Sequence, residues 1–126
     1  MAKRIRIKAG PIEALAELAD NRTAQAIWQA LPIRGEVNLW GEEIYFSIPV
    51  KIEQEDGREV VKIGELGYWP PGSAFCIFFG RTPVSGAGEV RAASAVNVFG
   101  KVIGDTSLFK MVASGAEITI ERAESG

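Results

Sequence analysis

Residues 74–79 read Ala-Phe-Cys-Ile-Phe-Phe, an apolar run with no polar residue inside it. A strand with one solvated face alternates apolar and polar residues, whereas a strand covered on both faces reads as a continuous apolar segment. The run therefore predicts a strand buried on both sides, between a barrel wall and the core or beneath a helix. Left at an edge it would invite pairing with another chain, so the fold has to close around it. With 126 residues, the chain is long enough to do so as one domain over 1–126, burying roughly 65–70% of its unfolded surface.

The rest of the chain is cut by Gly and Pro into short segments, mostly of β character. Residues 3–8 (KRIRIK) alternate, with Ile5 and Ile7 on one face, and Gly10-Pro11 follows as a turn. Residues 12–19 fit both a helical stripe and a strand, and the Ala, Leu and Glu content favours helix. Ala24, Ile27, Trp28 and Leu31 recur at helical spacing behind Asp20-Asn21 and ahead of Pro32, which predicts a capped helix of two to three turns. Strands are expected over 34–39 and 43–48, joined at Gly41, then over 59–63, 66–69, 74–79, 95–103 and 116–122, with a short helix over 105–112. Seven or more strands with one or two short helices fit a small β-barrel closed by helices, or an α+β sandwich.

Composition removes most chemistry. The chain has no histidine, which excludes His bases, triads and His metal sites. It has one cysteine, so no internal disulfide and no Cys-rich zinc site. A formal charge of −2 gives no field for phosphates, so nucleic acid is not an expected partner. No window approaches a membrane span, and MAKRIRIKAG has a positive start without the apolar stretch of a signal peptide. The expected location is the cytoplasm, where a lone thiol is tolerated. No cofactor and no metal are expected.

Several segments, taken together, resemble cyclophilins. Thr23-Ala24 with Ile27, Trp28 and Leu31 resembles their first helix. Gly64 to Ile77 resembles a strand–loop–strand unit ending in a Phe-Phe-Ile run, and Val98-Phe99-Gly100-Lys101-Val102 resembles their Val-Phe-Gly-Lys-Val strand. The block Tyr-Trp-Pro-Pro-Gly…Phe-Cys-Ile-Phe-Phe-Gly over 68–80, and the Asn-Leu-Trp-Gly…Ile-Tyr-Phe hairpin over 38–46, resemble a small prokaryotic cyclophilin-like family of uncharacterised proteins. The resemblance implies a mainly β fold, a closed barrel of about eight strands with one or two short helices capping its ends. It also makes 12–19 the second strand, against its helix propensity.

The isomerase set of cyclophilins does not carry over. Where the resemblance places their arginine, this chain has Ser47 or Ile48. The pocket phenylalanine is matched by Cys76, the pocket histidine by Val96, and the pocket tryptophan has no counterpart in 91–95. The resemblance thus implies a ligand- or peptide-binding module of cyclophilin-like fold. The alternatives are a weak or atypical peptidyl-prolyl cis-trans isomerase, with Lys51 or Arg81 substituting, or an enzyme of another class built on Cys76 or an Arg–carboxylate pair. No catalytic residue is assigned.

The expected ligand-binding residues are Trp69, Pro70, Phe75, Phe78, Arg81 and Arg91. Trp69-Pro70-Pro71-Gly72 offers either a rigid groove wall or a proline-fixed turn with Trp69 in the core. Arg81 and Arg91 could anchor a carboxylate or stand ion-paired at the surface. Cys76 reads as a buried, inert thiol. Tyr45 should face away from Ile44 and Phe46, and the acidic loop 53–57 reads as a solvated turn. Glu42 and Glu43, adjacent on one strand, point to opposite faces and cannot act as a carboxylate pair.

Overall fold

The computed structural model describes residues 3–123. Met1 and Ala2, where the reading of the leader begins, lie outside the described residues. Strand β1 (Arg4–Ala9) turns at Gly10 into β2 (Ile12–Leu18), and the two pair in antiparallel register with Ile5 opposite Ala16 and Ile7 opposite Ala14. The alternation of 12–18 places Ile12, Ala14, Ala16 and Leu18 in the core, so strand wins over helix propensity. Helix propensity is worth only tenths of a kcal/mol per residue, and flanking strands on both sides of β2 outweigh it.

Helix α1 (Arg22–Ala30) starts at Asn21, whose side chain accepts from the Ala24 N–H at 2.9 Å. Its apolar stripe buries Ala24 and Ile27, while Trp28 lies half-buried with the Arg122 guanidinium 4.6 Å from its ring. The remaining strands are β3 (Ile33–Glu36), β4 (Asn38–Leu39), β5 (Glu43–Ser47), β6 (Arg58–Val61), β7 (Glu65–Trp69), β8 (Ala74–Phe78), β9 (Val90–Ile103) and β10 (Glu117–Ala123). Strand β9 starts earlier than expected, at Val90. The expected second helix is a 3-10 helix, Thr106–Met111, capped by Asp105 through the Ser107 N–H.

The strand order is β3-β10-β1-β2-β9-β7-β8-β5-β4, with β6 added along β9. This corrects the expected closed barrel of about eight strands: the sheet has ten and its ladder does not close. The edge strands β3 and β4 are nevertheless consecutive in sequence, separated by Val37 alone, so the sheet curls until its two edges meet. Gly35 makes room for that approach, because a Cβ there would stand 2.7 Å from the Phe46 ring. The continuous chain through Val37, rather than hydrogen bonds between edge strands, joins the two edges of the open ladder.

The inner face of the curled sheet carries the main core, including Ile5, Ile7, Phe46, Leu66, Tyr68, Phe75, Phe99, Ile118 and Ile120. Phe75 packs between Phe46 and Phe99, with ring centroids at 5.3 and 5.1 Å. A second, smaller cluster on the outer face holds Val61, Ala74, Cys76, Phe78, Val90, Ala92 and Val96. Strand β8 lies between the two, Phe75 and Ile77 facing in, Cys76 and Phe78 facing out, and all five of its residues are buried. The layer over its outer face is the bent β6–β9 pair rather than a helix.

Opposite β7, strand β9 carries one extra residue, since Leu66 pairs with Gly100 but Gly67 pairs with Val98. This bulge sends Phe99 into the main core and turns the N-terminal half of β9 over the outer face. Gly100 permits it, since a Cβ there would meet the Glu17 carbonyl oxygen at 2.7 Å. No helix of the described residues is long and apolar enough to cross a membrane.

Candidate functional site

The outer face of β5 and β8 is the floor of a cleft. Its geometry begins at the turn Trp40–Glu43, where the Trp40 N–H donates to the Glu43 carbonyl at 2.9 Å and the Glu43 N–H donates back at 3.2 Å. Gly41 holds φ +61 at the first central position, as a tight hairpin of the II′ kind requires. A side chain there would also collide with the Arg81 carbonyl oxygen, 2.8 Å from the Cβ position. Gly41 therefore sets how Trp40 stands beside the first residues of β5.

From that turn, alternation sends Ile44 and Phe46 into the main core and leaves Glu43, Tyr45 and Ser47 on the outer face. Across the antiparallel ladder, Tyr45 pairs with Cys76, Ser47 with Ala74 and Glu43 with Phe78. The cleft, of about 280 Å3, is lined by Trp40, Glu43 and Tyr45 on one side and by Ala74 and Cys76 below. Trp69 and the β9 residues Ala92, Ala93 and Val96 complete it. That volume is just below the roughly 300–1,000 Å3 typical of ligand sites.

One lining group is ionisable and buried. Glu43 is 6% exposed, and its Oε1 has no hydrogen-bond partner among the described residues. Burial pushes its carboxyl up to about 7, with a side-chain hydrogen bond to the Cys76 thiol acting in the opposite direction. Burial in turn pushes the Cys76 thiol well above its ordinary value, and the neighbouring Glu43 charge adds to the rise. The thiol is buried and free, as read from the sequence, and its surroundings oppose a nucleophilic thiolate.

The expected ligand-binding residues divide into two groups. Trp69 lines the cleft, half-buried, with its indole N–H donating to Ser94 Oγ at 2.6 Å. It is held by the 3-10 turn Pro70–Gly72, where a Cβ on Gly72 would stand 2.9 Å from the Trp69 ring; turn and wall are thus one device. Pro70 sits in that turn, half-buried. Phe78 packs in the outer cluster with Cys76 and Val96. Phe75 lies on the opposite side of the sheet, in the main core.

Arg81 is exposed and donates to the Ser85 carbonyl at 3.2 Å. Arg91 pairs with Glu89 at 2.9 Å and with Glu59 at 3.5 Å. Neither arginine is among the residues lining the cleft.

The acidic loop does more than turn in solvent. The Glu55 carboxylate accepts from the N–H groups of Arg22 and Thr23, at 3.1 and 3.0 Å, and from the Thr23 hydroxyl at 2.7 Å. That hydroxyl first, then the amides and Arg22, hold the Glu55 carboxyl below its ordinary value. Asn97, fully buried, ties the same region together: its Oδ1 accepts from the Glu55 N–H at 2.8 Å, and its Nδ2 donates to Thr23 Oγ1 and to the Glu53 carbonyl.

Glu43 is the site residue that motif reasoning passes over. Its rejection as half of a carboxylate pair holds, since Glu42 points elsewhere and pairs with Lys110 at 3.7 Å. The available signal was the register itself: Glu43 shares its strand face with Tyr45, and that face meets the doubly buried strand.

A family model described as cyclophilin-like matches residues 3–121. The solution structure of the hypothetical protein AF2241 from Archaeoglobus fulgidus is similar to this chain, with 41% identity and a TM-score of 0.82, covering 97% of this chain and 95% of that one. No curated protein matches the chain.

Proposed function

The chain belongs to the cyclophilin-like family, and from that premise we propose that it is a binding module that takes a peptide segment or small molecule in the cleft between Trp40, Tyr45 and Trp69 and does not catalyse prolyl isomerisation. The observation that carries this reading is that Cys76 and Val96, which replace the cyclophilin pocket phenylalanine and histidine, both line that cleft. The place is retained while small apolar side chains stand where a proline pocket would need larger ones.

The electrostatic part of the isomerase is also replaced. Amide rotation faces a barrier of about 18–20 kcal/mol, and lowering it needs a donor aimed at the imide nitrogen. The candidate positions are Ser47, whose hydroxyl donates to the Gly72 carbonyl at 3.3 Å, and Ile48, which is buried. The described lining of the cleft contains no basic side chain. A cytoplasmic location accords with the single free cysteine.

The test is a screen of small molecules and short peptides followed by the indole fluorescence and NMR signals of Trp40 and Trp69. Binding moves both while leaving Trp28 unchanged. A screen in which no compound perturbs either indole overturns the reading.

A further inference from the structure

Glu43 is the feature of the cleft that packing does not explain. A buried carboxyl oxygen without a donor costs free energy unless something satisfies it, and nearly all buried polar atoms are satisfied. Here Oε1 has no partner among the described residues, in a side chain more than nine-tenths buried that lines the cleft. No basic side chain among the described residues lines the cleft, and Arg81, Arg91 and Lys110 are engaged elsewhere: Arg81 with Ser85, Arg91 with Glu89 and Glu59, and Lys110 with Glu42. The carboxyl is therefore left for a group that comes from outside.

Resting on the binding-cleft reading above, we propose that the Glu43 carboxyl is the polar anchor of the cleft, and that its ligand carries a primary ammonium group on an apolar stem. An anion would be repelled, and a purely apolar ligand would leave Oε1 unpaired and drier than before. An ammonium supplies both the missing donor and the opposite charge. The rings of Trp40, Tyr45 and Trp69 line the same cleft, and aromatic faces attract ammonium groups. The Ala74, Ala92 and Val96 walls suit the stem. The other titratable side chains lining the cleft with Glu43 are the Cys76 thiol and the Tyr45 phenol, neither of which supplies a cation.

The test titrates the full chain with 2-phenylethylamine, with 2-phenylethanol as the neutral isostere and with 3-phenylpropionate as the anion, following the Trp40 and Trp69 indole signals. The amine should bind about tenfold or more tightly than the alcohol, the scale of a hydrogen bond between charged groups, and the anion should bind more weakly than the alcohol. Glu43→Gln should lose the preference for the amine, which then binds no more tightly than the alcohol. Equal affinities for amine and alcohol in the wild-type chain, or a preference retained in Glu43→Gln, overturn the proposal while leaving the cleft as a binding site. The wild-type comparison decides even if the variant fails to fold. Silence of both indoles toward all three probes instead overturns the cleft reading, and the proposal with it. A lysine-bearing tripeptide with blocked ends supplies the second source: tighter binding than the free amine assigns the ammonium to a peptide side chain, and weaker binding assigns it to a small amine, each in support of an ammonium ligand.

Discussion

The Glu43 carboxyl stands beside the Cys76 thiol at the floor of the cleft, and burial raises the pKa of both. For Glu43 this makes stability depend on pH in a definite direction. Its pKa is raised on folding from about 4.5 to about 7, so the folded chain binds the proton more tightly than the unfolded one. The stabilisation is fully present below pH 4.5 and is lost as pH rises through 7, a change of about 3 kcal/mol. Glu55, Glu89 and Asp105 have lowered values and act in the opposite sense. They are common to the wild-type chain and Glu43→Gln, so the difference between the two isolates Glu43. Urea unfolding at pH 5 and pH 8 should show the variant gaining stability relative to wild type at the higher pH. Parallel pH profiles would show that the carboxyl is not desolvated as described.

Cys76 should behave as a side chain of the outer cluster rather than as a nucleophile. It is 2% exposed, and the neighbouring carboxylate disfavours its thiolate further. Iodoacetamide at pH 8 should leave the native protein unmodified over a period in which the same protein in denaturant reacts completely. Rapid native alkylation would instead support a thiol-based enzyme.

Much of the fold was legible because its signals are local. The alternation of Ile5 and Ile7, the Asn21 cap before Ala24 and the apolar run 74–79 each report the surroundings of their own segment. What was not legible depends on pairing between distant segments. The Phe99 bulge, the addition of β6 to β9 and the meeting of β3 and β4 across Val37 leave no periodic trace, and they turn an expected closed barrel of eight strands into a curled sheet of ten. The site divides in the same way. Trp69 announces itself through its proline-rich turn, whereas Glu43 looks like any surface glutamate until the register sets it beside Cys76.

Asn97 should be worth more than its single side chain suggests. It satisfies the Glu55 N–H, the Glu53 carbonyl and the Thr23 hydroxyl from a fully buried position, joining β9, the acidic loop and the start of α1. Asn97→Ala leaves the Glu55 N–H and the Glu53 carbonyl without their partner, while the Thr23 hydroxyl keeps Glu55, and each unpaired group costs about 1–3 kcal/mol. The variant should lose about 2–4 kcal/mol in chemical denaturation, and amide exchange should quicken at Thr23 and Glu55 as well as near residue 97. A loss below 1 kcal/mol, or exchange changes confined to β9, would show that the loop is held by other contacts.

The remaining prediction concerns the activity that the family likeness invites. A conventional cyclophilin mechanism needs a proline-sized apolar pocket and a cationic donor against the imide nitrogen. The positions that the resemblance matches to that pocket are Cys76 and Val96, Glu43 brings an acid in place of a base, and Arg81 and Arg91 stand apart with partners of their own. The ionised carboxylate only accepts and cannot act on the nitrogen lone pair as a donor does, and the neutral carboxyl offers a single uncharged O–H where the arginine offers a cationic fork of donors. A protease-coupled assay on proline-containing tetrapeptides should give a cis–trans rate equal to the uncatalysed one at micromolar protein. Introducing the missing donor alone, as Ser47→Arg, should not restore the rate, because the pocket residues remain small. Catalysis by the wild-type chain above background would show that this cleft lowers the barrier by shape and desolvation alone.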